Sequence, residues 1–502
     1  MSPLNEKCFY GRTYMSRDVI RPLRAIVCDE NASRTLLTTE WERSDFIILR
    51  HELLRRTAIH RHIMQREGCQ PLKCLPNKWF PPFGLDKLRK VVEAERAKAY
   101  PLFMLEDHEK HGDTYCQWGG PMYTVITRDP HNIREMLSRQ FKNFEIGNAR
   151  HGCVRPLLGD GIFIQDGAEW EASRKLSGPM IHRPSLPDLS LLERHFQRLQ
   201  SRVAPSYYPN DLSASPSLDL KDYLLDLSLQ LTTEFLLGED INTASHGMNS
   251  ETSVWNGAFA KEFDNAFRWI SKRERYKVFY WLVDGLEFRR SCNAARDLVD
   301  EIVCRSVETR KMYKTPTETY IALEPLLSEQ RDTEVVRDQF MNLLLAGRDT
   351  SGALLSWLFY ALAREPHLVK ILKKEIEDIL DMDRSRTPTK SELNGMVKLD
   401  QFISETLRLF PPNPLNGRFS VLATFLPYGG GEDGEAPILI PKGTLVAFST
   451  FAAQHNQDLY GETANRFRID RWDDVRTKER RTVDWSYHPF LEEGRGNAWA
   501  VG

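Results

Sequence analysis

The sequence predicts a mainly α-helical protein with a minor β element, and three observations support this fold class. Apolar residues recur at helical spacing over most of the chain from Leu157 onward. Segments rich in β-branched residues are few and short. With 502 residues, of which 41% are hydrophobic and 27% are charged, the chain can bury a large core. This composition excludes a disordered chain, a collagen and a small disulfide scaffold.

The charge balance and the cysteine pattern narrow the function classes further. The chain has 68 Lys and Arg residues against 70 Asp and Glu residues, so we expect no nucleic-acid partner. Its eight cysteines have no paired spacing, which indicates free thiols in a reducing compartment. Cys69 and Cys74 lack the second pair that a zinc knuckle needs.

Residues 1–68 are predicted to be an atypical N-terminal segment without a membrane anchor. The longest apolar run there, Phe46–Leu49, is far shorter than the roughly 20 residues that a spanning helix needs. We therefore expect the main domain to cover residues 69–502.

The main domain begins with a short Pro/aromatic connector and then alternates helices with occasional strands. Trp79–Gly84 contains two prolines and predicts a rigid connector. A charged helical stretch is expected over Leu85–His111, a strand over Tyr123–Thr127 and a second β-like patch over Ile438–Phe448. Helical periodicity predicts further helices over Leu220–Leu237, Trp255–Trp269, Arg296–Lys311, Val335–Arg364 and Leu368–Leu380.

The longest predicted helix, from about Thr333 to Arg364, has a polar centre that contains Gly347, Arg348, Asp349 and Thr350. Glycine weakens a helix by about 1 kcal/mol, and buried polar groups need partners. A membrane span is disfavoured because two charges would lie at the bilayer centre. A kink with Thr350 bonded to the preceding turn is one interpretation. The other is a groove in which Gly347 lets a flat ligand lie close while Asp349 and Thr350 move protons.

Two further pairs of side chains share a helical face. Glu405 and Arg408 lie three positions apart, and Pro411 soon ends their helix, which suggests a buried ion pair with a further partner. Trp170 and Arg174 lie four positions apart. An Arg beside an indole N–H can bind a carboxylate, although stacking for stability is the commoner reason for such a pair.

Four patterns follow one another along the chain: Trp-x-x-x-Arg, Ala-Gly-x-Asp-Thr, Glu-x-x-Arg and a later aromatic/Arg segment. A chain with these patterns in this order resembles the haem-thiolate monooxygenases, the cytochrome P-450 superfamily. Residues 156–163, 346–351 and 437–444 resemble the fungal alkane and fatty-acid hydroxylases of that superfamily. The resemblance covers about residues 69–495 and implies the mainly α haem-thiolate monooxygenase fold, with the domain incomplete after residue 495.

The resemblance implies that five residues contact the haem. Trp170 and Arg174 would hold one haem propionate, and Arg418 would hold another, because charge-assisted bonds suit a carboxylate. Gly347 and Arg495 are also expected to be cofactor-binding.

The resemblance assigns two further roles. Asp349 and Thr350 are the expected catalytic residues, which relay protons to bound oxygen. Glu405, Arg408 and Arg471 are expected to form a structural ion-pair network that locks the loop below the haem.

The chain departs from the family at the position of the iron ligand. The family has a cysteine thiolate two residues after the arginine that matches Arg495. This chain has Asn497 there, so we predict no protein ligand to the metal and a fold truncated at the C-terminus.

The function that the resemblance implies is hydroxylation of alkanes or fatty acids with O2. The expected cofactor is haem, given a complete ligand loop, with electrons from NADPH through a reductase. The expected partners are that reductase and an apolar chain substrate, and the protein is expected to be a monomer. The family implies the endoplasmic reticulum membrane, whereas the chain as written, without an anchor, would be cytoplasmic. The alternative is a non-catalytic pseudoenzyme or an incomplete gene product that retains an apolar ligand-binding fold.

Overall fold

The structure is a computed structural model that describes residues 55–76, 85–119, 122–181, 189–207, 218–237, 251–312, 332–380, 386–473 and 485–489. The chain divides into two units, Met1–Gln65 and Arg66–Gly502. In the first unit, the described residues 55–65 are helical. The predicted connector at Trp79–Gly84 lies outside the described residues.

The second unit is mainly helical with small sheets, which confirms the predicted fold class. Its α-helices are α1 (Leu85–Arg96), α2 (Tyr100–His111), α3 (Pro130–Arg134), α4 (Asn148–Leu158), α5 (Gly167–Ile181), α6 (Leu189–Tyr207), α7 (Leu220–Leu237), α8 (Glu251–Arg275), α9 (Leu286–Met312), α10 (Thr333–Arg364), α11 (Pro366–Ile379), α12 (Lys390–Gly395), α13 (Val397–Leu409), α14 (Thr450–Gln454) and α15 (Gln457–Tyr460). A 3-10 helix follows at Ile469–Asp473.

The described strands form two small sheets. The strands are β1 (Thr114–Gly119), β2 (Met122–Thr127), β3 (Phe144–Glu145), β4 (Asn416–Ser420), β5 (Thr424–Gly430), β6 (Ala436–Ile440) and β7 (Leu445–Phe448). One sheet has the order β1-β2-β7-β4-β3, and β5 pairs with β6 in the other. Within the larger sheet β2 and β7 are parallel, while the other pairs are antiparallel.

Two predicted elements are each divided in the structure. The stretch Leu85–His111 forms α1 and α2, separated by a turn in which Lys98 has a φ of 55°. Pro101 prevents one continuous helix, because its ring would clash with the carbonyl group four residues earlier. The β-like patch Ile438–Phe448 contributes to both sheets, since Gly443, with a φ of 82°, turns the chain between β6 and β7.

Helix α10 lies at the centre of the largest apolar core. It runs unbroken for 32 residues, and Asp332 caps its N-terminus by accepting a hydrogen bond from Glu334 N. The core packs α10 against helices α4, α7, α8 and α9, with buried side chains such as Phe340, Leu344 and Phe263. None of the described helices combines the length and apolar character needed to cross a membrane.

Candidate active site

The centre of α10 packs closely against α7. A Cβ atom added to Gly347 would come within 2.3 Å of Thr232 Oγ1, and one added to Gly352 would come within 2.6 Å of Leu225 Cδ2. Both glycines therefore allow the two helices to approach each other. Thr232 fills the side-chain space at Gly347, and the contact of a flat ligand with Gly347 stays a prediction.

Arg348 links α10 to α8 from a buried position. Its side chain is 3% exposed, and its Nη1 donates to Asp264 Oδ1 at 2.9 Å and to Asp349 Oδ1 at 2.8 Å. Its Nη2 donates to Asp264 Oδ2 at 3.2 Å. The hydroxyl of Ser228 on α7 donates to the Arg348 carbonyl at 2.8 Å. One guanidinium thus orients the Asp349 carboxylate and is itself held by α8.

Asp349 and Thr350 lie where α10 becomes accessible. Thr350 is exposed and donates its hydroxyl to Ala346 O at 2.5 Å, the bond to the preceding turn that the kink interpretation invoked, yet the helix continues. Burial raises the pKa of Asp349, the Asp264 charge raises it further, and Arg348 opposes both effects. A carboxyl group with a raised pKa holds a proton more readily near neutral pH, so this pair has the chemistry of a proton relay.

The motif at residues 156–163 fixes the loop after α4 against α10. Asn342 Nδ2 donates to Leu158 O at 3.1 Å, and Phe163 N donates to Asn342 Oδ1 at 3.2 Å. A Cβ atom added to Gly161 would come within 2.3 Å of Asn342 Nδ2, so only glycine fits there. In the structure, this motif serves to position the helix that carries Asp349.

Trp170 and Arg174 come together on α5. The Arg174 guanidinium carbon lies 5.2 Å from the centroid of the Trp170 ring, and the Phe141 ring packs on the same indole at 5.0 Å. Burial lowers the pKa of Arg174. The two side chains are therefore stacked, and stacking fixes the direction of a cation that can bind a carboxylate.

Arg418 and Arg150 form a second cationic group around one amide. Arg418 Nη1 donates to Asn416 Oδ1 at 3.0 Å, and Arg150 Nη1 donates to the same oxygen at 2.7 Å. Burial lowers the pKa of Arg418 to about 9, the Arg150 charge lowers it as well, and Asp166 acts in the opposite direction. Because Asp166 immediately precedes α5, Arg418 lies near the start of the helix that carries Trp170 and Arg174.

Glu405 is fully buried at the centre of the ion-pair network that it forms with Arg408 and Arg471, here called the Glu405 cluster. Arg408 Nε and Nη2 each donate to its carboxylate at 2.8 Å, in a bidentate pair. Trp472 Nε1 donates to Oε2 at 3.1 Å, and Arg468 N donates to Oε1 at 3.0 Å. Arg471 Nε lies 3.5 Å from Oε1. The structure thus brings Glu405, Arg408 and Arg471 together.

Arg408 also binds the segment between α14 and the last 3-10 helix. Its Nη1 donates to Gln454 O and Ala464 O at 2.7 Å each, and its Nη2 donates to Arg466 O at 3.3 Å. Arg471 continues this pattern by donating to Tyr460 O at 2.9 Å. The two guanidinium groups thereby fix the path of the chain through α15 and the turns that follow it.

The expected position of the iron ligand lies outside the described residues, together with Arg495 and Asn497. The chain has no cysteine after Cys304. The described cysteines are free thiols, and among the described residues no cluster of His, Cys, Asp and Glu could hold a metal ion.

Sequence reasoning did not identify several residues of this arrangement. Asp264 is 84 positions before Arg348, and Arg150 is 266 positions before Asn416, so no local spacing indicates either contact. Trp472, by contrast, directly follows Arg471, and an indole beside a buried carboxylate is a plausible donor that the sequence could have suggested.

Comparison with known proteins agrees with this architecture. The family described as Cytochrome P450 matches residues 85–490. "Cytochrome P450 monooxygenase g430" of Fusarium sp is 34% identical over 82% of this chain and 73% of that protein. "Cytochrome P450 52A13" of Debaryomyces hansenii is 34% identical over 73% of this chain and 70% of its own length. "Cytochrome P450 52A1" of Candida tropicalis is 35% identical over 73% of this chain and 67% of its own length.

The family match spans the long central helix, the Glu405 cluster and both cationic groups, and therefore includes every described part of the candidate site. The chain belongs to the cytochrome P450 monooxygenase family.

Proposed function

We propose that the chain binds haem and hydroxylates alkanes or fatty acids at the endoplasmic reticulum, with O2 and with electrons from an NADPH-dependent reductase. The observation that carries the proposal is the accessible polar centre of α10. Residues 336–344 of this helix are all buried, whereas Thr350, a few positions later, is exposed. Polar groups on a core helix need hydrogen-bond partners, and Arg348, Asp349 and Thr350 have them while Asp349 and Thr350 stay accessible for proton transfer.

The described residues fit the anionic edge of a haem. Each propionate needs a cation in a site with little water, and Arg174 and Arg418 supply cations with lowered pKa values. A carboxylate beside either guanidinium would stabilise its charged form. The Trp170 indole N–H would add a neutral donor next to Arg174.

When bound, the haem supplies the oxygen activation that amino-acid side chains lack. The contribution of this chain is proton transfer. Asp349, whose side chain is 38% exposed, can take a proton from solvent, and its raised pKa favours the protonated carboxyl group. The Thr350 hydroxyl can pass a proton from its exposed position. When it is not passing a proton, this hydroxyl donates its hydrogen bond to Ala346 O.

A second candidate function is binding of the same apolar ligands without turnover, and the identity of residue 497 favours it. An amide is a poor substitute for the thiolate that increases electron density at the iron. On this hypothesis, the fold retains a binding site for apolar ligands in a non-catalytic protein.

The experiment that separates the two functions compares the wild-type chain with Asn497→Cys, and uses Asn497→Ser as the control for a small side chain without thiolate chemistry. Each full-length protein is loaded with haem and assayed for haem content, for dodecane and dodecanoate binding, and for hydroxylated product with reductase, NADPH and O2. The reduced carbon-monoxide spectrum reports thiolate ligation through its red-shifted band.

Hydroxylated product from the wild-type chain supports the first function. Ligand binding without product in the wild-type chain, with both product and the red-shifted band in Asn497→Cys alone, supports the second. If no variant binds haem or either ligand, both functions are wrong.

A further inference from the structure

A mostly apolar pocket of about 270 Å³ lies between α4 and the larger sheet. Its lining residues come from α4 and the turn before it, from the segment that leads into β4, from β4 and β7, and from the end of α8. The apolar ones include Ile146, Cys153, Leu415, Phe419 and Leu445. Such a lining suits a hydrocarbon chain.

Arg150 is the cationic residue among those that line this pocket. It is half-buried, and its Nη1 donates at 2.7 Å to Oδ1 of Asn416, which is another lining residue. Arg418 shares that oxygen, but it is buried and is not among the residues that line the pocket. Of the two guanidinium groups, that of Arg150 is therefore the one available to a ligand in the pocket.

Within the described residues, Arg150 has no carboxylate at ion-pair distance. Glu274 also lines the pocket, but it is exposed on α8 and forms no ion pair with Arg150. Two guanidinium groups that donate to one amide oxygen repel each other, and an anion beside Arg150 would reduce this repulsion. An apolar pocket with an available cation is complementary to an amphiphile that carries a carboxylate.

We infer that Arg150, oriented by Asn416, binds the carboxylate of a fatty acid whose chain lies in the pocket. The inference rests on the proposed function, because it selects fatty acids from the two substrate classes proposed there. It makes Arg150 a specificity-determining residue and predicts a preference for fatty acids over alkanes and alcohols of equal chain length.

The test measures binding of dodecanoate and of 1-dodecanol to the full-length chain, by displacement of a fluorescent fatty-acid probe. The compared proteins are the wild type, Arg150→Gln, Arg150→Lys and the control Arg155→Gln. Arg155 lies on the same helix but is exposed, does not line the pocket and pairs with Asp160.

We expect the wild-type chain to bind dodecanoate about 10-fold more tightly than the alcohol, since a charge-assisted bond replaces a neutral one. Arg150→Gln should lose this preference by weakening dodecanoate binding alone. Arg150→Lys should keep part of it, and Arg155→Gln should keep all of it.

Equal affinities for the two ligands in the wild-type chain would overturn the inference while leaving the proposed function intact. Binding of neither ligand would overturn both. Haem content per chain is measured in parallel. If Arg150→Gln loses haem and weakens both ligands equally, its guanidinium binds a haem propionate and the inference is wrong.

Discussion

Gly347 of α10 lies against Thr232 of α7 with no room for a side chain, because an added Cβ atom would come within 2.3 Å of Thr232 Oγ1. The polar centre of α10 packs against Thr232 at this point. The glycine at the centre of this helix is thus explained by helix packing, and the helix carries Asp349 and Thr350 two and three positions later.

Gly347→Ala should therefore destabilise the protein by about 1–3 kcal/mol, because the cost of overpacking exceeds the helix propensity gained. Urea unfolding measures the change. Gly257→Ala is the matched control on α8, where nothing lies within 4 Å of the added atom, and it should be neutral or stabilising. Adding Thr232→Ala to Gly347→Ala should recover stability. Equal effects of the two Gly→Ala changes would contradict this account.

Glu405→Gln should destabilise the protein by about 3–5 kcal/mol, because it leaves the buried Arg408 guanidinium without its carboxylate. The measurement is the midpoint and slope of urea unfolding. Glu301→Gln is the control, since Glu301 pairs with Arg305 at an exposed helical position and its loss should cost less than about 0.5 kcal/mol. A comparable effect of the two changes would show that the Glu405 cluster is not what holds this region together.

Asp349→Asn should uncouple NADPH consumption from hydroxylation. The change is made in whichever haem-loaded protein forms product, either the wild type or Asn497→Cys. The amide cannot deliver a proton, so product per NADPH should fall about 10-fold or more and peroxide should rise. Ser351→Ala, an exposed neighbour on α10, should leave this ratio unchanged. An unchanged ratio in Asp349→Asn would remove Asp349 from the proton relay.

Two buried histidines should make the protein sensitive to mild acid. Burial lowers the pKa of His108 and of His455 to about 4, from a reference value of 6.5. Between these two values both histidines stay neutral in the folded protein, while the unfolded chain takes up their protons. The free energy of unfolding should have its full value above about pH 6.5. It should fall as the pH drops towards 4, by up to about 3 kcal/mol for each histidine.

Urea unfolding at several pH values between 7.5 and 4.5 measures this loss. His108→Asn and His455→Asn keep a donor near the Nδ1 position, which bonds Gly112 O and Phe451 O respectively, and should each flatten the pH profile. The exposed His367→Asn is the control and should leave the profile as it is in the wild type. A wild-type profile that is flat between pH 6.5 and 4.5 would contradict the prediction.

The sequence predicted the elements whose signal is local. The period of apolar residues located α7 with its observed bounds and located the full length of α10, because a helix buried along much of its length shows its pattern in its own residues. The break before Pro101 and the turn at Gly443 were missed, because in each case one proline or glycine interrupts a stretch whose other residues keep a single pattern.

Contacts between distant parts of the chain were not predictable in the same way. The sequence indicated that Glu405 and Arg408 form a pair, but it could not show that Arg348 shares its charge with Asp264, because helical spacing identifies a face and not the helix that packs on it. The same reason explains why Arg150 was overlooked and why the packing of Gly347 against Thr232 was not predicted.

The bonds from Arg408 to the carbonyl groups of Gln454, Ala464 and Arg466 join positions 46, 56 and 58 residues apart. Loops of this length must close before those bonds can form, so the chain loses conformational entropy before the bonds stabilise it. We expect the region from α14 to the last 3-10 helix to become ordered late in folding, after α13 has presented its guanidinium group. Removal of the Arg408 side chain would then act on the unfolding rate more than on the folding rate.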